Sequence, residues 1–190
     1  MAKRYSKPDQ RLLHMLEADA ITRRMDTLTR RGERMLDLPC GYGRFTAHAL
    51  RRGLQVSVAD INPDMLELVQ QRLGPLDSHC CRSDCLPFPD NTFDTALCVR
   101  LLQHLHEREV RVATLRELAR VTRRGIIATI YDRTRLHRVL HGKRNLKRLH
   151  RYSPESLHDE LEAAGLSLVK ARRILPGVHA QQVLMLRPAA

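Results

Sequence analysis

Hydrophobic positions along the chain follow two rhythms. Short continuous apolar runs alternate with longer stretches in which apolar residues return every third or fourth position. The first read as buried strands and the second as amphipathic helices. Strands are expected at 33–38, Leu54 to Asp60, His79 to Ser83, Phe93 to Val99, Gly125 to Tyr131, Leu166 to Leu175 and Gln181 to Leu186. Helices are expected at 9–31, about 43–52, 62–73, Glu107 to Val121, and from Ser153 through Ala164. Local signals support these limits. Pro63 and Pro154 suit a first helical turn, and Ser153 suits an N-cap. Gly53, Gly74 and Gly165 stand where helices should stop. In helix 9–31, Leu12, Leu13, Leu16, Ala20 and Ile21 are assigned to one face, and Arg11, Glu17, Arg23 and Arg24 to the others. Strands alternating with helices demand an α/β fold with a mostly parallel sheet covered on both faces. Ligands in such sheets bind at the carboxyl ends of the strands.

Size and composition bring this to one core. A chain of 190 residues, 43% hydrophobic, suits one folded domain. The reading divides it into an N-terminal helical cap, 1–32, and a single domain, 33–190, that carries a basic insert at 133–151. With no Trp and 4% aromatic residues, a surface built on base stacking is disfavoured. Thirty-three Lys and Arg against 21 acids give a net charge of +12, a field that suits an anionic partner. Five cysteines, no secretory pattern and no apolar run of spanning length point to a reducing, cytoplasmic setting without a transmembrane segment. Peripheral membrane contact stays compatible with the charge. His79, Cys80, Cys81 and Cys85 lack paired ligand spacing, so no metal is expected.

The chemistry gathers at the strand ends. Met35-Leu36-Asp37-Leu38-Pro39-Cys40-Gly41-Tyr42-Gly43-Arg44-Phe45 reads as a strand, a glycine turn and a helix start. Gly41 and Gly43 allow a sharp turn and a close ligand, and a helix start offers free N–H groups. Asp60 ends the second strand, 17 residues past Gly43, where an acid can accept from both hydroxyls of a ribose. A dinucleotide loop would need a third glycine where Thr46 stands. Asp37 would also repel a pyrophosphate, and it suits a cofactor with a cationic end.

These stretches resemble the class I S-adenosylmethionine-dependent methyltransferases, in the branch that acts on small molecules and quinones. Asp37 to Arg44 is similar to the family's first motif, with Pro39 where its first glycine usually stands. Val58 to Leu66 resembles the ribose segment, and Ser83 to Asp94 the acidic segment after strand three. Val99 to Leu105 resembles the segment after strand four, and Arg120 to Gly125 the turn into strand five. The likeness covers about 33–131 and implies a Rossmann-like, seven-stranded sheet and S-adenosyl-L-methionine as cofactor. It implies a methionyl group over Gly41 and Gly43, near Pro39, with its ammonium at Asp37. Arg44 or the helix start would face the carboxylate, and Asp60 would take the ribose. Asp84 would accept from the adenine amino group and the Cys85 N–H would donate to a ring nitrogen. Ile61 and Leu86 would wall the purine, and Arg100 would begin the loop nearest the sulfonium.

Methyl transfer needs alignment and dryness first, and a base only for an acceptor that holds a proton. His104, after strand four, and Tyr131-Asp132, at the end of strand five, are the candidates, with a packing role open for His104. The insert holds Arg133, Arg135, Arg138, Lys143, Arg144, Lys147, Arg148 and Arg151 without an acid. It reads as a recruiting lid or as a solvated helix face. The expected activity is methyl transfer to an oxygen or nitrogen of a small or lipid-linked, anionic acceptor. Two alternatives stand beside it. One is methylation of RNA, which the charge supports and the scarcity of aromatics disfavours. The other is a non-catalytic binding protein that keeps the cofactor fold.

Overall fold

A computed structural model describes residues 8–132, 149–175 and 180–189, with side chains from residue 11 onward. The elements run α1 (Pro8–Leu28), β1 (Arg34–Asp37), α2 (Thr46–Arg51), β2 (Gln55–Asp60), α3 (Pro63–Leu73), β3 (Asp77–Cys80) and β4 (Phe93–Cys98). A 3-10 turn, Leu102–His104, follows. Then come α4 (Arg108–Val121), β5 (Thr122–Tyr131), α5 (Pro154–Ala163), β6 (Leu166–Arg173) and β7 (Gln181–Pro188). Seven strands form one sheet in the order β3-β2-β1-β4-β5-β7-β6. All neighbours pair in parallel except β7, which runs antiparallel to β5 and β6. This is the Rossmann-like, mostly parallel sheet that the alternation demanded.

The core lies on both faces of the sheet. One cluster joins Leu36, Ala96, Ile126 and Leu184 to Leu115 and Leu118 of α4 and Leu157 and Leu161 of α5. The other joins Met35, Val58, Leu97 and Val183 to Ile21 and Met25 of α1, Ala49 of α2 and Val69 of α3. A buried ion pair ties α4 to α5, in which Arg111 Nε and Nη2 donate to Glu160 at 2.6–3.2 Å. Arg111 Nη1 also donates to the carbonyls of Leu105 and His106, which pins the loop after β4.

Several limits differ from the sequence reading, each for a local reason. β3 is Asp77–Cys80, not His79 to Ser83. As an edge strand it pairs only with Ser57–Asp60, so its ladder stops where β2 stops. Asp77 enters it because the Ser57 hydroxyl donates to the Asp77 carboxylate at 2.5 Å. β5 starts at Thr122, directly after α4, because Thr122 already pairs with Phe93. α2 starts at Thr46 because Gly43, at φ +75°, is still part of the turn. In α1 the polar assignment fails at two positions, since Glu17 and Arg24 are buried while Leu12 and Met15 are exposed. Of the basic insert, 133–148 lies outside the described residues.

Candidate functional site

The loop after β1 is tied to both neighbouring strands. Leu38 N–H donates to the Leu97 carbonyl of β4 at 2.9 Å, and Cys40 N–H to the Ala59 carbonyl of β2 at 3.0 Å. The Leu38–Pro39 peptide is cis. Gly43 N–H closes the turn on the Cys40 carbonyl. The two glycines serve different ends. A Cβ on Gly43 would stand 2.3 Å from Val69 Cγ2, so this residue lets the loop lie against α3. A Cβ on Gly41, at φ +50°, would meet nothing within 4 Å among the described residues, so this residue borders open space there.

Two acids hold the loop. The Thr46 hydroxyl donates to Asp37 at 2.6 Å, which fastens the end of β1 to the start of α2. Asp37 is 2% exposed. Burial pushes its carboxyl up to about 7 against the hydrogen bonds from Thr46, and the Asp60 charge adds to the push. The Cys40 thiol is pushed up to about 12 by burial and by the charges of Asp37 and Asp60, so it stays a thiol. Asp60 ends β2 and accepts from Gly41 N–H at 3.1 Å on one oxygen and from Asn62 N–H at 3.0 Å on the other. Ile61, beside it, is 68% exposed, an unusual position for a large apolar side chain.

The acidic segment after β3 is more self-contained than its sequence suggests. Asp84 is paired with Arg82 at 2.5 Å, and the hydrogen bonds from Arg82 hold its carboxyl below the usual range. Cys85 is exposed, and its N–H turns back to the Arg82 carbonyl at 3.4 Å. Leu86, expected as a second purine wall, is 5% exposed and lies in the core with Phe88 and Phe93. Its N–H donates to Glu117 at 2.7 Å. Arg120 of α4 fastens this segment, donating to the carbonyls of Leu86 and Phe88 and to Asp90. Of the two expected walls, Ile61 is the one that offers surface.

Arg44 and Arg100 meet on a carboxylate that the sequence reading passed over. Glu17 of α1 has no exposed surface. It accepts from Arg100 Nε at 2.8 Å and Nη2 at 2.5 Å, from Arg44 Nη1 at 3.1 Å, and from the Gln181 side chain. Burial pushes its carboxyl up, and the hydrogen bonds and charge of Arg100, with Gln181 and Arg44, outweigh that and bring it below its ordinary value. Arg44 also donates to the His14 carbonyl. Burial and the charges of the two arginines push the His14 imidazole below its ordinary value, against the opposite pull of Glu17. The signal for Glu17 was its spacing. It stands four residues before Ile21 and eight before Met25, both fully buried on one stripe of α1.

The acceptor-side candidates lie at the next two strand ends. Arg100, at φ +62°, is held by its N–H on the Thr129 hydroxyl of β5 at 2.8 Å. His104 ends the 3-10 turn and is exposed. Tyr131 ends β5, is half-buried, and its carbonyl accepts from Tyr152 N–H at 2.8 Å. Asp132, next in the chain, completes the pair expected at the end of strand five. One of its oxygens accepts from Arg173 Nε at 2.7 Å and from the Gln182 side chain at 2.5 Å. The other is buried with no hydrogen-bond partner among the described residues. Asp132 lines a cavity of about 680 Å³ together with Ile130, Leu157, Leu161 and Leu166.

Comparison with known proteins agrees with this geometry. Residues 35–125 match the family model described as a methyltransferase domain. The chain is 34% identical over 105 residues to the ubiquinone/menaquinone biosynthesis C-methyltransferase UbiE of Cronobacter sakazakii. That alignment covers 50% of this chain and 41% of the relative, so the chain spans less than half the length of the curated relatives it matches. Among solved structures it resembles magnesium protoporphyrin IX methyltransferase from Synechocystis PCC 6803, with S-adenosylhomocysteine bound there, at TM-score 0.78 and 17% identity. That likeness covers 96% of this chain and 88% of the other. An S-adenosylmethionine-dependent methyltransferase from Clostridium acetobutylicum gives TM-score 0.76 at 12% identity, over 93% and 92% of the two chains. At such identities the structures speak for the fold.

Proposed function

We propose, from the premise that this chain belongs to the class I S-adenosylmethionine-dependent methyltransferases and takes S-adenosylmethionine as its cofactor, that it methylates an oxygen or nitrogen of a small or lipid-linked acceptor that carries negative charge. The observation that carries the reading is Asp60. Each carboxylate oxygen accepts one backbone N–H, which fixes the side chain and leaves one acceptor site on each oxygen for the two hydroxyls of a ribose. The surroundings fit the same group. Gly41 borders open space, and Ile61 presents its apolar side chain beside the acid.

The cofactor, when bound, supplies a methyl group made electrophilic by a positively charged sulfur. The chain supplies placement. Asp60 would hold the ribose and Ile61 would cover the purine. Asp37, on the loop that Thr46 fastens, would pair with the ammonium, and Arg44 and Arg100 would offer charge to the carboxylate. Asp84 and Cys85 remain the candidates at the adenine edge, and Asp84 reaches it by exchanging part of its pairing with Arg82. On the acceptor side, His104 or Tyr131 would take the proton of an acceptor hydroxyl or amine. The cavity that Asp132 lines would give an apolar body somewhere to lie, and an Asp132 oxygen with no partner among the described residues suits a hydrogen-bond donor on it. The overall charge of +12 supports an anionic acceptor.

A second reading, methyl transfer to a carbon of an acceptor in ubiquinone or menaquinone biosynthesis, is favoured by the name of the 34% identical relative. Titration calorimetry tests the cofactor: S-adenosylmethionine should bind, and Asp60→Ala should abolish binding. A labelled-methyl screen tests the acceptor. Label should enter lipid extracts or anionic metabolites, whereas label in RNA would refute a small acceptor. Oxygen, nitrogen and carbon products separate by the chemical stability of the new bond.

A further inference from the structure

Glu17 draws together four segments that are distant in the chain: α1, the loop after β1, the turn after β4 and the start of β7. Its two cationic partners approach from different loops. Arg44 follows the glycine turn directly. Arg100 comes two residues after β4, with its main chain turned by a left-handed φ and fastened to Thr129. Both guanidinium groups touch the same oxygen of Glu17, at 3.1 and 2.5 Å. Two like charges this close repel unless an anion lies between them. The Glu17 side chain is fully buried, whereas Arg44 keeps 21% and Arg100 34% of their side-chain surface exposed. The nitrogens not on Glu17 turn to His14, Arg44 Nη2 to its carbonyl and Arg100 Nη1 to within 3.4 Å of its Nε2, and both side chains still keep part of their surface open beyond these contacts.

We infer that Glu17 is a positioning residue: it holds the Arg44 and Arg100 guanidinium groups side by side so that together they recognise the carboxylate of the cofactor's methionyl end. The inference rests on the cofactor reading above and deepens it. A helix outside the 35–125 match thereby sets which end of the cofactor is read most strictly. Loss of the Glu17 charge lets the arginines move apart. The ribose and purine contacts, on Asp60 and Ile61, stay as they are, because neither residue touches Glu17 through any of these bonds.

The test uses two ligands that differ by one group, S-adenosylmethionine and decarboxylated S-adenosylmethionine. Affinities of both are measured by titration calorimetry on the full chain, with Glu17→Gln, Glu17→Asp and the unaltered protein, and thermal unfolding confirms that each is folded. The Gln variant should lose tenfold or more in affinity for S-adenosylmethionine and less than threefold for the decarboxylated ligand. The Asp variant, which keeps the charge on a shorter stem, should fall between and show the same selectivity if the Gln variant does not fold. Equal loss for both ligands, or no loss, would overturn the inference and leave Glu17 a purely structural residue. Tighter binding of S-adenosylmethionine would also overturn it, since Glu17 would then compete with the ligand carboxylate. If the unaltered protein binds neither ligand, the cofactor reading itself fails, a result distinct from the others.

Discussion

The protonation of Asp37 should set how cofactor affinity and stability move with pH. Its carboxyl ordinarily titrates at 3.8, and burial raises it to about 7 in the free protein. An ammonium group beside it needs the ionised form. Between pH 5.5 and 7.5 the ionised fraction rises from about 3% to about 76%, a ratio of about 25. The dissociation constant for S-adenosylmethionine should fall by about that factor, equivalent to about 2 kcal/mol. Stability of the free protein should move the other way. A carboxyl raised on folding contributes stability that is complete below about pH 4 and lost as pH rises through about 7. Over the same interval the loss is again about 2 kcal/mol, a fall of about 4–8 °C in Tm for a domain of this size. Calorimetry and thermal unfolding at both pH values read the two effects, with Asp37→Asn as the reference. The Asn side chain keeps an acceptor for the Thr46 hydroxyl and cannot ionise. Its affinity should stay near the low-pH value and its Tm should lack this part of the decline. Wild-type affinity that stays flat with pH, or an Asn variant with the wild-type slope, would refute the reasoning.

The two loop glycines should separate binding from folding. Gly41→Ala places a methyl in open space at a left-handed φ, so it should cost about 1 kcal/mol in urea unfolding and at least tenfold in cofactor affinity. Gly43→Ala drives a methyl against Val69 and should cost about 3 kcal/mol, seen as a lower urea midpoint. Glu160→Ala leaves Arg111 buried without its counter-charge and frees the loop after β4, which should lower stability by about 3–5 kcal/mol in the same assay. Ile61→Asp should leave Tm unchanged, because the side chain packs on little, and should weaken S-adenosylhomocysteine binding severalfold by calorimetry.

The parts of this fold that were legible in the chain are those set by local pattern. The strand ending at Asp37, the capped helix after Asn62 and the Ser153–Pro154 start of α5 each carry their own signals, and each forms where those signals put it. The α4-to-β5 junction was misread because helix becomes strand with no residue between, and pairing with Phe93 decides the boundary. Edge position decides β3 in the same way. His79-Cys80-Cys81 looks like a strand start by composition, but the ladder is as long as β2 allows.

Site residues divide along the same line. Asp37, Gly41, Gly43 and Asp60 lie within one strand–loop–helix–strand unit, so spacing alone brings them together, and Asp60 and Gly41 are hydrogen-bonded as that spacing requires. Leu86 lies just beyond that unit. Whether it faces a ligand or the core depends on Arg120 and Glu117, about 30 residues away, which draw its segment onto α4. Glu17 is the extreme case. Polar residues in an amphipathic helix default to the solvent side, and nothing near Glu17 in the chain supplies a cation that would keep it buried. Its partners are Arg44, Arg100 and Gln181, the last 164 positions away. An acid in register with Ile21 and Met25 is therefore a local contradiction that only distant positive charge resolves. In a chain this rich in arginine, an acid on a buried stripe points to the arginines that the fold has drawn inward.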